Sequence, residues 1–543
     1  MPVNDTIPGS GAGTGTRVEA GSGSSEGSDG SDAQSVDPLE LKGFDPLRSH
    51  VVYERPEPTN EGGRLIIVSN RAPADDPAKN AGGLVVALLD FVSSSDGLWF
   101  GTSGDTVAEA SDEVHEKRFD GYTRLTIDLS EKEQEGYYFG YANSVLWPLF
   151  HGRSDLLSIR AGYEETYKAV NQRMARIIAD YARPEDTIWV QDYHFLPLAR
   201  YLRAYGVECR IGFFLHIPVP PAQTLMATPR YRQFIDWFYA YDLVGLHAQR
   251  DVNHLLDFFR TCNAGQLMAD GSVRSGAART RVASFPIGID VEAFAKAARE
   301  SVEGGRHAER ASIGLGPDEK MVLGVDRLDY SKGLPQRMKG FRCALNKRRP
   351  DMGRLTLIQI ATPSREAVQA YQDIRHELER LSGEINGAYS EIDWTPLRYI
   401  HRHIPRERLV GLYRAAHVGL VTPLMDGMNL VAKEYVAAQN PDDPGVLILS
   451  QFAGAAEQMR EALIVNPHDV DEIGRAIIRA ATMPLPERRA RHAALFKRIA
   501  EEDIDWWRDN FLAALAKQPR NGVGDDAPRE AQVITYPAAR AAG

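Results

Sequence analysis

Eight short apolar runs constrain this chain most, each the length of a buried strand and too short for a core helix. They are LIIVS (65–69), TIWV (187–190), RIGFFLH (210–216), DLVGLH (242–247), MVLGVD (321–326), LTLIQIA (355–361), VGLVTP (418–423) and GVLILS (445–450). Amphipathic stretches separate them, among them 163–181, 334–348, 366–381 and 429–438. Apolar runs joined by helical patterns predict parallel strands covered by crossover helices on both faces, an α/β fold. The alternation breaks near 286–311, where FPIGID gives way to a polar stretch before MVLGVD restarts it. Two domains follow, 63–298 and 299–485, each a Rossmann-like, doubly wound sheet. Such sheets bind ligands beyond the carboxyl ends of their strands, and two that face each other enclose a cleft. The closing stretch 486–516 carries Trp506 and Trp507, too apolar for a free tail, and is expected to pack back on the first lobe.

A length of 543 residues exceeds what one core usually holds, which agrees with two domains. Residues 1–62 and 517–543 are poor in aliphatics and rich in Gly, Ser, Pro and charge, so they are read as disordered. Residues 1–62 hold eleven acidic and four basic residues, which accounts for seven of the eleven net negative charges. The remainder is near neutral and shows no basic face for nucleic acid. No window is apolar enough to span a membrane, and the first thirty residues lack the apolar core of a signal peptide. Cys209, Cys262 and Cys343 are odd in number and far apart, which argues against disulfides or zinc and for a reducing cytoplasm.

Chemistry is concentrated where strands end. In VTPLMDGMNLVAKEYV (421–436) a strand gives way to Asp426 and Gly427, and then a helix opens. Its first N–H groups lack intrahelical acceptors and suit a diphosphate. Asp426 and Glu434 flank that helix start, as hydroxyl acceptors or as a plain cap and a plain helical residue. In VDRLDYSKGL (325–334), Arg327 and Lys332 flank a turn where two cations suit a leaving diphosphate, or simply a solvated turn. Asp329, Tyr330 and Gly333 are assigned to turn structure. In the first half, VSNRAP and AGGLVVAL offer Arg71, Gly82 and Gly83 to a phosphate. GYYFGYANSVLWPLFH supplies Tyr138 and Trp147, QDYHFLPL supplies Asp192, and GFFLHIPVPP supplies His216, each beside a structural alternative. Asp469–Val470–Asp471 has the spacing of a sugar-nucleotide metal motif but precedes an amphipathic helix, and is read as its cap. No metal or cofactor site is expected, and no Walker loop, nucleophile elbow or dinucleotide fingerprint is present.

Taken in order, SNR, AGGL, NSVLWPLFH, QDYHFLP, GFFLHIPVP, RLDYSKGLP, YQDIRHELE, GLVTPLMDGMNLVAKEYVAAQ and LSQFAGAA resemble the trehalose-6-phosphate synthase family from about residue 64 to 515. The resemblance implies two Rossmann-like domains facing across a cleft (GT-B type), and transfer of glucose from a nucleotide sugar to glucose 6-phosphate with retention. It implies that Arg71, Tyr138, Trp147 and Arg365 hold the acceptor phosphate and Asp192 its hydroxyls. Gly82 and Gly83 would lie against the donor diphosphate, bound from the other lobe by Arg327 and Lys332. His216 and Asp426 would position the donor glucose. Gly427, Met428, Asn429, Leu430 and Val431 would line the donor, with the amides of Asn429 and Leu430 on its phosphates and Glu434 on its ribose. The base would be read through backbone near Ile404, which leaves UDP-, ADP- and GDP-glucose open. A homotetramer is the implied assembly.

The same resemblance constrains mechanism. Retention through a covalent intermediate needs a carboxylate close below the anomeric carbon, and the matched residues offer none. Front-face displacement is the consistent expectation, with the leaving phosphate as base and Arg327, Lys332, His216 and Asp426 around the reacting centre. Rival readings are a synthase using glycerol 3-phosphate, a silent sugar-phosphate-binding regulator and, more distantly, a nucleotide-dependent oxidoreductase.

Overall fold

The computed structural model describes residues 63–75, 83–301, 305–348, 352–365 and 368–521. Both terminal stretches read above as disordered lie outside these, apart from 517–521. Among the described residues, ten strands form the first sheet: β1 (Leu65–Arg71), β2 (Gly97–Val107), β3 (His115–Phe119), β4 (Tyr122–Ser130), β5 (Thr187–Gln191), β6 (Arg210–Phe214), β7 (Leu243–Leu246), β8 (Gln266–Leu267), β9 (Ser272–Ser275) and β10 (Ala278–Ser284). Six form the second: β11 (Lys320–Arg327), β12 (Leu355–Thr362), β13 (Leu397–Ile400), β14 (Val418–Val421), β15 (Val446–Ser450) and β16 (Leu463–Val465).

The first sheet runs β3-β4-β2-β1-β5-β6-β7-β10-β9-β8, parallel from β4 to β10, with antiparallel β3 and β9-β8 at its edges. The second runs β13-β12-β11-β14-β15-β16 and is parallel throughout. Both are doubly wound, and their strand order reverses direction between β1 and β5 and between β11 and β14. Loops leaving adjacent strands diverge at those two points, which opens the crevice where such sheets bind ligands. All eight apolar runs became strands. Two strands outside those runs carry several charges: β4 (YTRLTIDLS) is largely buried although Arg124 and Asp128 interrupt it, and edge strand β3 (HEKRF) is mostly exposed.

The chain leaves the first sheet earlier than the expected boundary at 298. Helix Val291–Glu300 is capped by Asp290, whose Oδ1 accepts from Ala293 N at 2.9 Å. It packs on helices Arg406–Ala415 and Leu430–Ala438 of the second lobe. Its buried Val291, Phe294, Ala295 and Ala298 form one face, while the polar residues that suggested a linker form the other.

The closing stretch 486–516 is divided rather than acting as one segment. Helix Leu485–Glu501 stays on the second lobe against helix Leu430–Ala438 and β15, and helix Ile504–Ala516 returns to β6 and β7. There Trp507 and Phe511 pack on Trp189, with ring centroids at 5.0 and 4.6 Å. Gly212 and Gly245 allow that approach, since a Cβ on either would stand 2.8 or 2.7 Å from Leu515 or Phe511. No helix among the described residues is long and apolar enough to cross a membrane.

Candidate active site

The second sheet builds its part of the site where its strand order turns. β11 ends in Arg327, which is exposed, and a 3-10 turn Tyr330–Lys332 follows, capped by Asp329 Oδ1 accepting from Ser331 N at 2.9 Å. Gly333 closes the turn at φ 64, where a Cβ would lie 2.5 Å from Thr422 O. Beyond β14, the Asp426 backbone is pinned to the next loop: its N–H donates to Phe452 O at 3.2 Å and its carbonyl accepts from Gly454 N at 3.1 Å. Its Oδ2 accepts from Lys332 Nζ at 2.5 Å and from Asn429 Nδ2 at 3.0 Å. Burial raises the Asp426 pKa, but the adjacent Lys332 ammonium outweighs it and holds the carboxyl below its ordinary value. Asn429 adopts φ 86 and caps helix Leu430–Ala438 through Oδ1 to Ala432 N at 3.3 Å. The earlier N–H groups of that helix remain available to an anion.

The first sheet answers from β5 and β6. Asp192, at φ 73, donates its N–H to Phe214 O at 2.7 Å, and its Oδ1 accepts from Tyr193 N at 3.0 Å and His216 N at 3.2 Å. Burial raises its pKa to about 6 against those two bonds. His216 Nε2 lies 2.9 Å from Gln191 Oε1, and burial lowers its pKa to about 3. With Gln191 Oε1 as acceptor, Nε2 carries the proton and Nδ1 is left to accept. A π-helix, Gln134–Leu146, leads into Trp147, whose N–H donates to Ala142 O five residues back. Tyr138 on that helix stacks on His194 at 5.9 Å. Burial lowers His194 to about 3 and His151 to about 4, so the histidines of the cleft are neutral and its cations are arginine and lysine.

Arg365 joins the two walls. From a backbone at φ 48 its guanidinium lies 3.8 Å from the Trp147 ring centroid, and Nη2 donates to Tyr193 OH at 3.1 Å. On its own side Nη1 donates to Tyr371 OH at 2.7 Å and pairs with Asp329 Oδ2 at 3.4 Å. Asp192, Arg365 and Asn429 are three of six non-glycine residues with positive φ among those described. Such strain gathers where a site over-determines its backbone.

A model of glycosyltransferase family 20 matches residues 49–517. The chain belongs to this family. Trehalose-6-phosphate synthase of Cronobacter sakazakii is 42% identical over 479 residues, spanning 87% of this chain and 99% of the relative. An alpha,alpha-trehalose-phosphate synthase (UDP-forming) from Burkholderia xenovorans, solved with glucose-6-phosphate, is 42% identical with a TM-score of 0.78, covering 83% of this chain and all of that one. A structure from E. coli bound with UDP-2-fluoro glucose is 41% identical with a TM-score of 0.80, covering 84% of this chain and 100% of that one. The chain is thus a glycosyltransferase with the paired-sheet architecture of its family 20 neighbours.

Within this family 20 chain the cleft brings together Tyr138, Trp147, Asp192, His216, Arg327, Lys332, Arg365 and Asp426. Gly427 backs onto the opposite lobe, where a Cβ would stand 2.5 Å from His216 O. Met428 and Asn429 lead into the helix that Leu430 and Val431 open. Glu434 lies one turn along, outside the cleft lining; its Oε2 accepts from Tyr413 OH at 3.2 Å, and burial raises its pKa. Ile404 is buried just before helix Arg406–Ala415, also away from the lining. Arg71 ends β1, but its guanidinium lies against Gly104 of β2 and does not line the cleft. Gly83 opens helix Gly83–Ser94, and Gly82 lies outside the described residues. Asp469 caps helix Val470–Thr482 through Glu472 N at 2.8 Å, and no group of His, Cys, Asp or Glu among the described residues is placed to hold a metal.

Sequence reasoning missed Asn70, His151, Tyr193, His194 and Ile217 as lining residues. His194 and Tyr193 adjoin Asp192, and His151 sits four residues after Trp147, so proximity to a chosen residue was the available signal. Asp329, assigned to turn structure, both caps its turn and accepts from Tyr371 OH at 2.9 Å beside Arg365.

Proposed function

We propose that this glycosyltransferase transfers glucose from a nucleotide-glucose to glucose 6-phosphate with retention, giving alpha,alpha-trehalose 6-phosphate and a nucleoside diphosphate. The observation that carries this reading is the convergence of Arg327, Lys332 and Arg365 on one cleft with Asp192 and Asp426. Three cations match two phosphorylated substrates, and two carboxylates provide hydroxyl acceptors. Arg327 and Lys332 sit beside the helix start that takes the diphosphate, and Arg365 with Trp147 and Tyr138 forms the acceptor end. Arg71 reaches the acceptor phosphate, Glu434 the ribose, and backbone near Ile404 the base, once the lobes close on both substrates.

Retention proceeds on one face of the sugar. The bond between the anomeric carbon and the diphosphate oxygen breaks, the acceptor hydroxyl oxygen bonds to that carbon from the same side, and its proton passes to the leaving phosphate oxygen. Asp426 is engaged by Lys332 and Asn429, and Asp192 by two backbone N–H groups, so both carboxylates orient sugars and neither serves as a nucleophile. Arg327 and Lys332 stabilise the charge that gathers on the diphosphate. We place the reaction in the cytoplasm and the chain in a homotetramer, the latter read by sedimentation.

A donor panel of UDP-, ADP- and GDP-glucose with glucose 6-phosphate, followed by nucleotide release and by chromatography of the disaccharide phosphate, tests the function. The expected product forms only with both substrates present. Transfer to glycerol 3-phosphate in preference to glucose 6-phosphate, or no nucleotide release from any donor, refutes it.

A further inference from the structure

Lys433 is fully buried on helix Leu430–Ala438, beside Glu434 and one turn from the residues that open the helix, and the chemistry above does not use it. Its Nζ donates to Ile287 O at 2.7 Å. Ile287 lies in the segment that carries the chain from the first sheet to the second, between β10 and helix Val291–Glu300. The same residue is held from the first lobe, since its N–H donates to His247 Nδ1 at 3.4 Å, just beyond β7. The His247 ring in turn stands 5.3 Å from that of His216 in the cleft.

The return crossing meets this segment. The chain goes back to the first lobe at Glu502–Asp503, where Ile504 N donates to Ile289 O at 3.3 Å and a Cβ on Gly288 would stand 2.2 Å from the Asp503 carbonyl carbon. Both crossings therefore lie against each other, and Lys433 is bonded into the pair from the helix that faces the donor.

Among the described residues, the charged and titratable groups around Lys433 offer it no ion pair. Glu502, whose field acts on it from the end of helix Leu485–Glu501, is committed to Arg498 at 2.9 Å and to Gln458. His492 on that helix donates from Nε2 to Val436 O at 3.1 Å, and His247 is held neutral by burial. Burying a lysine amine without a carboxylate is costly whether it keeps its proton or gives it up, and an apolar residue of similar volume would fold at least as well. A lysine at this position therefore points to a task other than stability.

We infer that Lys433 is a positioning residue for glucosyl transfer: it locks the donor-facing helix to the double crossing and so sets the lobes at the separation the two substrates require. This rests on the transfer reaction proposed above. Lys433→Met removes the lock and leaves the helix start, Lys332, Asp426 and Glu434 in place. The expected result is a kcat at least tenfold lower, nucleoside diphosphate affinity by calorimetry within twofold of wild type, and an unchanged or higher Tm. Hydrogen exchange at the Ile287 and Ile504 amides, which donate to His247 Nδ1 and Ile289 O, is expected to rise at least tenfold. Unchanged kcat and unchanged exchange overturn the inference, as does a joint fall of kcat, affinity and Tm, which marks a merely structural lysine. The exchange measurement needs no turnover, so it decides the inference even if wild type fails to use glucose 6-phosphate and the functional reading falls. Where Lys433→Met yields too little folded protein, Lys433→Gln is read the same way, because its shorter side chain does not reach Ile287 O.

Discussion

Arg327→Ala separates catalysis from folding more cleanly than any other change in the cleft. Arg327 is exposed, forms no ion pair with a described residue, and meets the Trp147 ring only at 5.5 Å. Truncating a surface side chain of this kind shifts stability by about 0.5 kcal/mol or less. Lys332 contrasts with it, because its removal strands the buried Asp426 carboxylate at a cost of roughly 3–5 kcal/mol, and the kinetic loss would be mixed with misfolding. If Arg327 meets the leaving diphosphate, its contribution grows as charge develops there. Deleting one such preorganised donor costs about 3–4 kcal/mol, or roughly 10²–10³ in kcat. The assay is steady-state nucleotide release with saturating donor and acceptor, beside a thermal melt of the same preparation. A kcat within threefold of wild type refutes the argument, and a large fall in Tm shows that Arg327 has a folding role its exposure does not reveal.

Gly427→Ala places a methyl group 2.5 Å from His216 O across the lobe interface, so kcat is expected to fall at least tenfold while a thermal melt changes little. Trp147→Leu removes the face under the Arg365 guanidinium, worth about 2 kcal/mol when desolvated, and should raise the KM for glucose 6-phosphate by up to about thirtyfold with donor affinity unchanged by calorimetry. Lys332→Ala should lower Tm and kcat together, checked by melting and turnover on one sample. Burial lowers Lys433 from 10.5 to about 7, so between those values the unfolded chain holds a proton that the folded chain lacks. Stability therefore rises with pH across that window, by at most ~1.4 kcal/mol per unit, and the Tm advantage of Lys433→Met over wild type should shrink between pH 7 and 9.

The parallel strands were legible because burial on both faces forces a continuous apolar run, as in LTLIQIA, every residue of which is buried in β12. β4 was hidden because Arg124 and Asp128 interrupt an otherwise buried strand, and both find partners that no local pattern announces: Arg124 donates to Pro73 O at 2.7 Å, and Asp128 accepts from Ser103 Oγ at 2.5 Å. The site divides along the same line. Asp426, Arg327 and Asp192 sit at strand ends, so the rule that ligands bind there located them. Arg365 carries no such mark; its meaning lies in Trp147 and Tyr193, each more than 170 residues away, and its role at the acceptor phosphate was reached only through resemblance to a family. Lys433 is the limiting case, since mid-helix position predicts a solvated lysine and only the crossing at Ile287 shows why it is buried. Groups that bind substrate are set by the ends of one sheet, whereas groups that hold the two sheets to each other depend on contacts between distant segments. The tests that reach beyond the sequence are accordingly those at Gly427 and Lys433, where the two lobes meet.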